Sequence, residues 1–358
     1  MNESTKHIVF FTPGFPANEQ DVNCIPILQS YVLHYYRRNI NRNVKISVIT
    51  FQYPFQKKQY QWNNIDVYAI GGCNKKGLRR IQTWLQVLYR FKQLNKTNKV
   101  TAIHSFWLTQ CAFVGQLISS LFKIKHISTI VGLDALPGNK YIKLINLKKT
   151  TIVALSDFVA KKFKETTNKN VHRIISIGLD TENFTTNISD NPTIDILGVG
   201  NLHAIKNYSL FIEIVEELVK TFPNLKSMII GNAEEFNMLK NLIASKRLDK
   251  NINLAGELPR HKVLDIMADS KLFLHPSVHE GQGYVFAEAL YSGMTVVAFK
   301  VGNLVNSARV FTCNNKTEMI ENLTALLGKK SDRKRVLMQD MQETVSAFNN
   351  LYFKNETK

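Results

Sequence analysis

The feature that most constrains the fold is an alternation of short apolar strands with longer amphipathic helices. Such an alternation favours parallel strands, because each helix carries the chain back to start the next strand in the same direction. In the first half, the pattern predicts strands at 7–12, 44–50, 67–70, 102–104, 127–131, 152–155 and 174–177, with helices at 25–36 and 75–94. This half of the chain is therefore predicted to form a doubly wound α/β domain.

The alternation restarts after a polar, proline-containing connector at 187–195. The second series predicts strands at 196–200, 226–231, 252–255, 272–275 and 295–299, and helices at 208–221, 234–245, 261–269 and 285–292. A charged linker at 329–335 and a last helix at 338–353 follow. We therefore predict domains at 1–186 and 187–330, with the segment 331–358 packing back on the first domain. Two such domains place a cleft between the carboxyl ends of their sheets, where ligands bind.

Residues 100–122 carry no formal charge, which raises the question of a membrane-spanning helix. They contain eight polar residues, too many for a helix that faces lipid, so a buried strand followed by a buried helix is predicted. The N-terminus has no signal-peptide pattern. The four cysteines are scattered, which disfavours zinc sites and disulfides. These features favour a cytoplasmic location.

The charge of the chain is strongly asymmetric. Residues 1–180 hold 26 Lys and Arg against 8 Asp and Glu, a net of +18, whereas the remainder holds 20 of each and has no net charge. An excess of this size points to an anionic partner, either a membrane surface, an acidic acceptor or nucleic acid. The predicted helix at 75–94 has basic residues on both sides of an apolar stripe, which is expected to face the domain core. No nucleic-acid-binding motif is present, so we favour the inner face of an anionic membrane.

The segment 273–299 contains the most specific candidate site. Glu280 ends a loop after a predicted buried strand, and a Gly-Gln-Gly sequence leads into the helix that bears Glu288. Glycines at a helix N-terminus let backbone N–H groups approach a phosphate, and the helix dipole favours an anion there. Carboxylates on either side can accept hydrogen bonds from sugar or ribose hydroxyls. The alternative is an exposed glutamate beside an ordinary capped helix.

This segment resembles the E-x7-E region of the retaining GT-B glycosyltransferases of family 4. The matching positions are Pro276, Ser277, Glu280, Gly281, Gly283, Glu288, Ala289, Gly293, Val296, Val297 and Ala298. The resemblance extends to 199–207, where Gly200, Leu202 and Lys206 match, and to 155–163 and 177–184. It covers roughly residues 100–300 and implies the GT-B fold, in which two Rossmann-like domains face each other across a cleft.

The resemblance also implies roles for individual residues. Lys206 would neutralise the donor diphosphate, and Glu280 would hold the transferred sugar, so these two are the candidate catalytic residues. Glu288 would bind the ribose. His104 is a weaker candidate on the acceptor or sugar side, with a core histidine as the alternative. The donor-binding candidates are Gly14, Asn201, Gly281, Gln282, Gly283, Tyr284 and Glu288.

Three positions depart from the family pattern. Asn201 stands where the family usually has an arginine, and an amide supplies no charge to a diphosphate. Val131 replaces a histidine, and Asn306 replaces a glutamate that follows a pair of glycines, of which Gly302 remains. These departures bear on donor identity and on activity.

The function implied is transfer of a sugar, with retention, from a UDP- or GDP-linked donor to an acceptor. The acceptor would be lipid-linked or a polysaccharide or glycolipid of bacterial cell-envelope synthesis. The chain has no D-x-D motif, so no metal is expected to hold the diphosphate. No other cofactor is expected beside the nucleotide-sugar co-substrate. Two alternatives are a non-catalytic nucleotide-sugar-binding relative and a nucleotide-sugar epimerase of the same fold.

Overall fold

The computed structural model describes residues 5–330 and 332–353. Its contacts form two compact units, one of Met1–Gly178 with Met341–Lys358 and one of Leu179–Asp340. The predicted connector at 187–195 therefore lies within the second unit. Parts of two predicted segments, the N-terminal residues 1–4 and, in the segment 331–358, Ser331 and residues 354–358, lie outside the described residues.

Within the described residues, the first unit is built on an eight-stranded sheet in the order β3-β4-β2-β1-β5-β6-β7-β8. All neighbours pair in parallel except β3 and β4. The chain winds outward from β1 in one direction through β2 and β4, and in the other through β5 to β8. The strands are β1 (Lys6–Gly14), β2 (Val44–Tyr53), β3 (Lys58–Trp62), β4 (Ile65–Ala69), β5 (Val100–Phe106), β6 (Lys125–Ile130), β7 (Thr151–Ala154) and β8 (Arg173–Ile174).

The helices of this unit cover the sheet and bury its apolar strands. The central strand β1 is buried from His7 to Thr12, as a continuous apolar run between two helical layers requires. Local signals set the helix ends: Ser156 caps one helix by accepting a hydrogen bond from Val159 N (3.1 Å), and Asn168 ends it in the left-handed region (φ 55°). The helices are α1 (Pro26–Asn39), α2 (Leu78–Thr97), α3 (Gln110–Phe122), α4 (Tyr141–Leu144) and α5 (Asp157–Thr167).

The second unit has, in its described part, a six-stranded parallel sheet in the order β11-β10-β9-β12-β13-β14. The winding direction reverses between β9 and β12, and ligands of such sheets bind at the carboxyl ends of the strands at that point. The strands are β9 (Ile194–Val199), β10 (Ser227–Ile230), β11 (Ile252–Gly256), β12 (Ser270–His275), β13 (Thr295–Phe299) and β14 (Val310–Cys313). The helices are α6 (Tyr208–Val219), α7 (Phe236–Ser245), α8 (Arg260–Ala268), α9 (Tyr284–Tyr291) and α10 (Lys316–Leu327).

The last helix, α11 (Met341–Phe353), returns to the first unit and packs on α1. Its Tyr352 hydroxyl lies 3.0 Å from the Tyr31 hydroxyl and 2.5 Å from Nδ1 of His104. Thr344 accepts a hydrogen bond from Gly178 N and donates one to Ser176 O, each 2.8 Å long. The C-terminal helix is therefore part of the first unit's core.

The structure confirms the predicted fold class of two parallel-sheet, Rossmann-like domains. The uncharged segment 100–122 forms β5 and α3, as predicted. Sequence analysis did not predict β3, β14, α4 and α10. The edge strand β3 is polar and mostly exposed, so it lacks the apolar run that marks a buried strand. Among the described helices, none is both long and apolar enough to cross a bilayer.

The apolar stripe predicted on α2 is only partly buried. Val87 and Phe91 are in the core, and Trp84 and Leu88 pack against it. Leu78, Ile81 and Leu85 of the predicted stripe are instead exposed, by 79%, 47% and 60%, and the neighbouring Tyr89, which was not part of that prediction, is 62% exposed. The expectation that the whole stripe faces the core was therefore wrong, because a helix lying on a sheet buries only the face toward the sheet.

Three buried histidines predict that the first unit loses stability in mild acid. Burial lowers the pKa of His7 to about 4, that of His126 to about 3, and that of His104 well below its ordinary value. The unfolded chain therefore binds protons below pH 6.5 that the native unit does not, so stability is lost as the pH falls through 6.5. Each histidine should cost about 1 kcal/mol between pH 7 and pH 5.5.

Urea denaturation followed by tryptophan fluorescence measures this effect, because all three tryptophans belong to the first unit. In His126→Asn, one of three groups no longer titrates, so the loss of unfolding free energy should shrink by about a third. An unfolding free energy that is equal at the two pH values would contradict the prediction.

Candidate functional site

The candidate site lies at the carboxyl ends of β9 and β12, where the second sheet reverses its winding. Lys206 ends a short 3₁₀ turn, Ala204–Lys206, that follows β9, and Glu280 ends the loop that follows β12. Nζ of Lys206 lies 2.5 Å from Oε1 of Glu280. Both side chains are largely buried, with 20% and 10% of their surface exposed. The two predicted catalytic residues are thus in direct contact.

Hydrogen bonds between the two loops hold this pair in place. The carbonyl oxygen of Ile205 accepts from Ser277 Oγ (3.2 Å) and from Val278 N (3.1 Å). Ser277 Oγ lies also 3.0 Å from the carbonyl oxygen of His279. The turn that carries Lys206 is therefore fastened to the loop that carries Glu280.

His275, the last residue of β12, is a third member of the cluster. Its ring is fully buried between Phe273 and Phe286, and its Nε2 lies 2.7 Å from Oε1 of Glu280. Burial lowers the pKa of His275 below its ordinary value, although Glu280 opposes this. The ring is therefore neutral at pH 7, and its proton sits on Nε2 because a carboxylate only accepts.

Glu280 is held as a carboxylate by these two neighbours. Its burial alone would raise its pKa, but the hydrogen bond from His275 and the charge of Lys206 together lower the pKa to about 2. Both contacts are to Oε1, and no hydrogen bond or ion pair among the described residues reaches Oε2. One carboxylate oxygen is thus available to accept a hydrogen bond from a ligand.

The loop 281–283 leads from Glu280 into α9, and glycines shape it. Gly283 has a φ of +73°, and a Cβ there would lie 2.3 Å from the Phe286 ring. The loop rests on the turn at Gly302, where a Cβ would lie 2.4 Å from the Gln282 carbonyl oxygen. That oxygen accepts a hydrogen bond from Asn303 N (3.0 Å). The single glycine left at 302 therefore supports the loop in front of α9.

Glu288 lies on α9 and is paired with Arg260, the first residue of α8. Nη1 of Arg260 is 2.6 Å from Oε1 of Glu288, and the guanidinium lies 5.8 Å from the centre of the Tyr284 ring. Burial raises the pKa of Glu288, although the charge of Arg260 opposes this. Arg260 is therefore the counter-ion of Glu288, the residue that is predicted to bind the ribose.

The structure shows where two of the three departures from the family pattern, Asn201 and Asn306, lie. Asn201 is exposed and follows Gly200 at the end of β9, so it lies on the same loop as Lys206. The Oδ1 of Asn306 accepts hydrogen bonds from N and Oγ1 of Thr312 (2.7 and 2.9 Å). Position 306 thus supports β14.

The other two candidates, Gly14 and His104, belong to the first unit. Gly14 is buried at the end of β1, and a Cβ there would make only ordinary contacts at 3.6 Å. His104 is fully buried; its Nδ1 is bonded to Tyr352 and its Nε2 lies 2.7 Å from Thr129 Oγ1. The structure places His104 as a core histidine rather than on a ligand-facing surface, because both ring nitrogens are already engaged.

Sequence reasoning missed two residues that complete the site. His275 stands directly before the matched Pro276, and a histidine closing an apolar strand was a usable signal. Arg260 gives no such signal, because it lies outside the matched segment and meets Glu288 only through the packing of α8 on α9.

Comparison with known families finds a match that covers most of the second unit. Residues 180–336 match the family model described as Glycosyl transferases group 1. An uncharacterized glycosyltransferase of Haemophilus influenzae is 30% identical over 159 residues, 40% of this chain and 44% of that protein. The phosphatidylinositol N-acetylglucosaminyltransferase GPI3 subunit of Saccharomyces cerevisiae is 27% identical over 109 residues, 30% of this chain and 24% of that protein. The chain thus spans less than half the length of these two relatives.

Longer similarities extend over both units. An uncharacterized glycosyltransferase of Methanocaldococcus jannaschii is 21% identical over 305 residues, 82% of this chain and 83% of that protein. The structure is similar to sucrose-phosphate synthase of Thermosynechococcus elongatus, with a TM-score of 0.72, 12% identity and coverage of 97% and 98%. It is also similar to HepE of Anabaena in complex with UDP and glucose, with a TM-score of 0.69, 16% identity and coverage of 98% and 96%. At such low identity, the structural likenesses show the GT-B fold alone.

The Lys206–Glu280 contact makes a prediction about the carboxyl group. Replacing Lys206 with Met removes the cation but keeps much of the side-chain volume, so burial is opposed by His275 alone and the pKa of Glu280 should rise above about 2. A ¹³C NMR titration of the Glu280 carboxyl, assigned with Glu280→Gln, measures this. Lys316→Met removes a half-exposed ion pair with Glu213 (2.9 Å) and should leave the titration unchanged. A value still near 2 in Lys206→Met would refute the coupling.

Proposed function

We propose that the protein is a glycosyltransferase that moves a sugar from a UDP- or GDP-linked donor to an acceptor hydroxyl. The match of residues 180–336 to the family model described as Glycosyl transferases group 1 and the names of the relatives support this proposal. The observation that carries it is the cluster of Lys206, Glu280 and His275 at the reversal point of the second sheet, directly before the N-terminus of α9. Ligands with phosphate groups bind at such a place in parallel sheets.

The proposed donor would contact this site through several distinct groups. The backbone N–H groups at 281–284 and the positive end of α9 would receive the diphosphate, and Lys206 would add a full charge. An ammonium has three donors and Glu280 occupies one, so Lys206 can contact a phosphate oxygen without leaving Glu280. Oε2 of Glu280 would accept from a sugar hydroxyl. Glu288 would bind the ribose, and the Asn201 amide would donate to a phosphate without adding charge.

Transfer is proposed to proceed with retention, on one face of the sugar, as in family 4. The acceptor oxygen bonds to the anomeric carbon while the bond from that carbon to the diphosphate oxygen breaks. The departing diphosphate takes the acceptor's proton, so the protein need not supply a general base. Its contribution is to position both substrates and to stabilise the charge that grows on the leaving group. Lys206 and the N-terminal end of α9 would supply the compensating positive charge without a metal ion.

The first unit is proposed to bind the acceptor and to dock on the inner, anionic face of a membrane. From residue 67 to residue 133 the chain has ten Lys and Arg and no Asp or Glu. The exposed row Leu78, Ile81, Leu85 and Tyr89 on α2 lies within this basic segment. Apolar side chains that enter the headgroup region and cations around them are the features of a surface that lies on a bilayer. Such docking suits a lipid-linked or glycolipid acceptor of cell-envelope synthesis.

A non-catalytic nucleotide-sugar-binding protein is the second candidate. It is favoured by Asn201, which adds no charge where related enzymes have an arginine, and by Val131, which cannot contact a sugar hydroxyl through its side chain. Donor hydrolysis in the absence of an acceptor separates the two candidates, because only an enzyme releases the nucleotide.

The proposed catalytic pair can be tested by substitution. Glu280→Ala and Lys206→Ala should each reduce turnover about 10²–10³-fold, because each removes an electrostatic contact that tightens as the leaving group gains charge. Turnover is measured as nucleotide release, and circular dichroism checks the fold. Lys316→Ala, which breaks a half-exposed ion pair, serves as the control. Near-normal turnover in either test variant would show that the assignment is wrong.

Glu288 should affect donor binding more than the chemical step. The ribose does not change during transfer, so Glu288→Gln should raise the KM for the donor while kcat changes little. Because Arg260 pairs with Glu288, Arg260→Gln and the double variant complete a cycle that separates loss of the ion pair from loss of the ribose contact. An unchanged KM in Glu288→Gln would make this glutamate purely structural.

Membrane docking is tested by co-sedimentation with liposomes of rising anionic-lipid content at low and high salt. Binding should increase with anionic lipid and decrease with salt, since each basic residue near the surface contributes about 1 kcal/mol. Leu78→Ser with Leu85→Ser should weaken binding, whereas Val305→Ser, which alters a 75% exposed apolar residue of the second unit, should not. Binding that does not depend on anionic-lipid content or on salt would contradict the proposed membrane docking.

A further inference from the structure

The first unit contains a cavity of about 300 Å³ between α2 and the edge strands β3 and β4. Six of its lining residues matter here: Lys57, Lys58, Tyr68, Gln86, Tyr89 and Arg90. A cavity of this size holds a small ligand or the polar head of a larger one. The cavity belongs to a different unit from the Lys206–Glu280 site. The proposed binding of the donor does not involve it.

The lining of the cavity is cationic and contains no acid. Lys57, Lys58 and Arg90 line it. The Lys58 ammonium donates to the Ala17 carbonyl oxygen (2.7 Å) and lies over the Tyr60 ring, so it is engaged elsewhere. Lys57 and Arg90 have no ion pair with any described residue. The charge of these two side chains is therefore available to a bound anion.

Arg90 is held in a defined position. Its guanidinium lies over the Tyr68 ring, 4.9 Å from the centroid, and it is half-buried. Asp66, an acid on the neighbouring strand β4, is paired with Lys45 (3.4 Å). A guanidinium that is stacked on a ring and lacks a carboxylate partner is suited to bidentate binding of a phosphate.

The cavity also offers polar groups for hydroxyls. Oε1 of Gln86 is buried and has no hydrogen-bond partner among the described residues. Leaving such an acceptor unpaired costs free energy, so a ligand that lets the Gln86 amide form hydrogen bonds would recover it. Tyr68 and Tyr89, whose side chains carry hydroxyl groups, also line the cavity. Together with the cations, these groups match a phosphate attached to a small polyol.

The position of the cavity links it to the exposed row on α2. Tyr89 is both a lining residue and the last member of the row Leu78, Ile81, Leu85 and Tyr89. A bilayer that touches this row would therefore bring its headgroups to the cavity.

We propose that this cavity is a binding site for a phosphorylated polyol, held by Arg90 and Lys57. The ligand can come from two sources, the headgroup of an anionic phospholipid or a soluble polyol phosphate. The lipid source rests on the proposed membrane docking, whereas the soluble source does not. Neither depends on sugar transfer.

The test compares two probes in the full-length protein. Soluble sn-glycerol 3-phosphate is titrated by calorimetry, and vesicles of phosphatidylcholine with and without phosphatidylglycerol are used for co-sedimentation. Arg90→Met keeps the packing of the side chain over Tyr68 but removes its charge. It should weaken binding at least about tenfold, the effect of losing a charge-assisted contact. Lys92→Met removes an exposed charge of the same helix that does not line the cavity, so it is the matched control.

Each outcome decides the proposal. Selective weakening by Arg90→Met with soluble glycerol phosphate supports the site with a soluble source, and selective weakening with phosphatidylglycerol vesicles alone supports the lipid source. Equal effects of Arg90→Met and Lys92→Met on vesicles, with no soluble binding, would overturn it. Lys57→Met replaces Arg90→Met if the latter fails to fold. Nucleotide release measured on the same variants shows separately whether sugar transfer stands.

Discussion

The ion pair between Lys206 and Glu280 joins the loops that follow β9 and β12, and the candidate site depends on it. A buried carboxylate is costly unless it is paired and hydrogen-bonded. Here one oxygen, Oε1, receives both the ammonium of Lys206 and the Nε2 proton of His275, which keeps the pKa of Glu280 at about 2. The cluster is therefore charged at any physiological pH and leaves Oε2 for a ligand.

The backbone around this pair requires glycine at specific points. At Gly231, a Cβ would lie 1.9 Å from the Gly200 carbonyl oxygen, so the ends of β10 and β9 approach too closely for any side chain. Gly283, in the left-handed region, lets the loop turn into α9. These constraints place backbone N–H groups, a cation and a carboxylate at one end of one sheet, where the proposed nucleotide-sugar donor would contact them.

Much of this was predictable from sequence because the signals were local. The strand–helix alternation predicted most strands of both sheets, and the glycine loop between a buried strand and a helix, together with the family resemblance of 273–299, marked the candidate site. Packing decided the rest. His275 and Arg260 became site residues through contacts made in the fold, and His104 proved to be a core residue because α11 returns from the end of the chain to bond it. The exposure of Leu78 and Leu85 likewise followed from how α2 lies on its sheet.

The central claim is that the second unit holds a nucleoside diphosphate donor against Lys206, and a calorimetric titration with UDP and with GDP tests it most directly. We predict saturable binding of one of them at a single site, weakened at least about tenfold by Lys206→Ala and unaffected by Lys316→Ala. Equal affinity in the wild type and Lys206→Ala, or no binding of either nucleotide, would contradict the account.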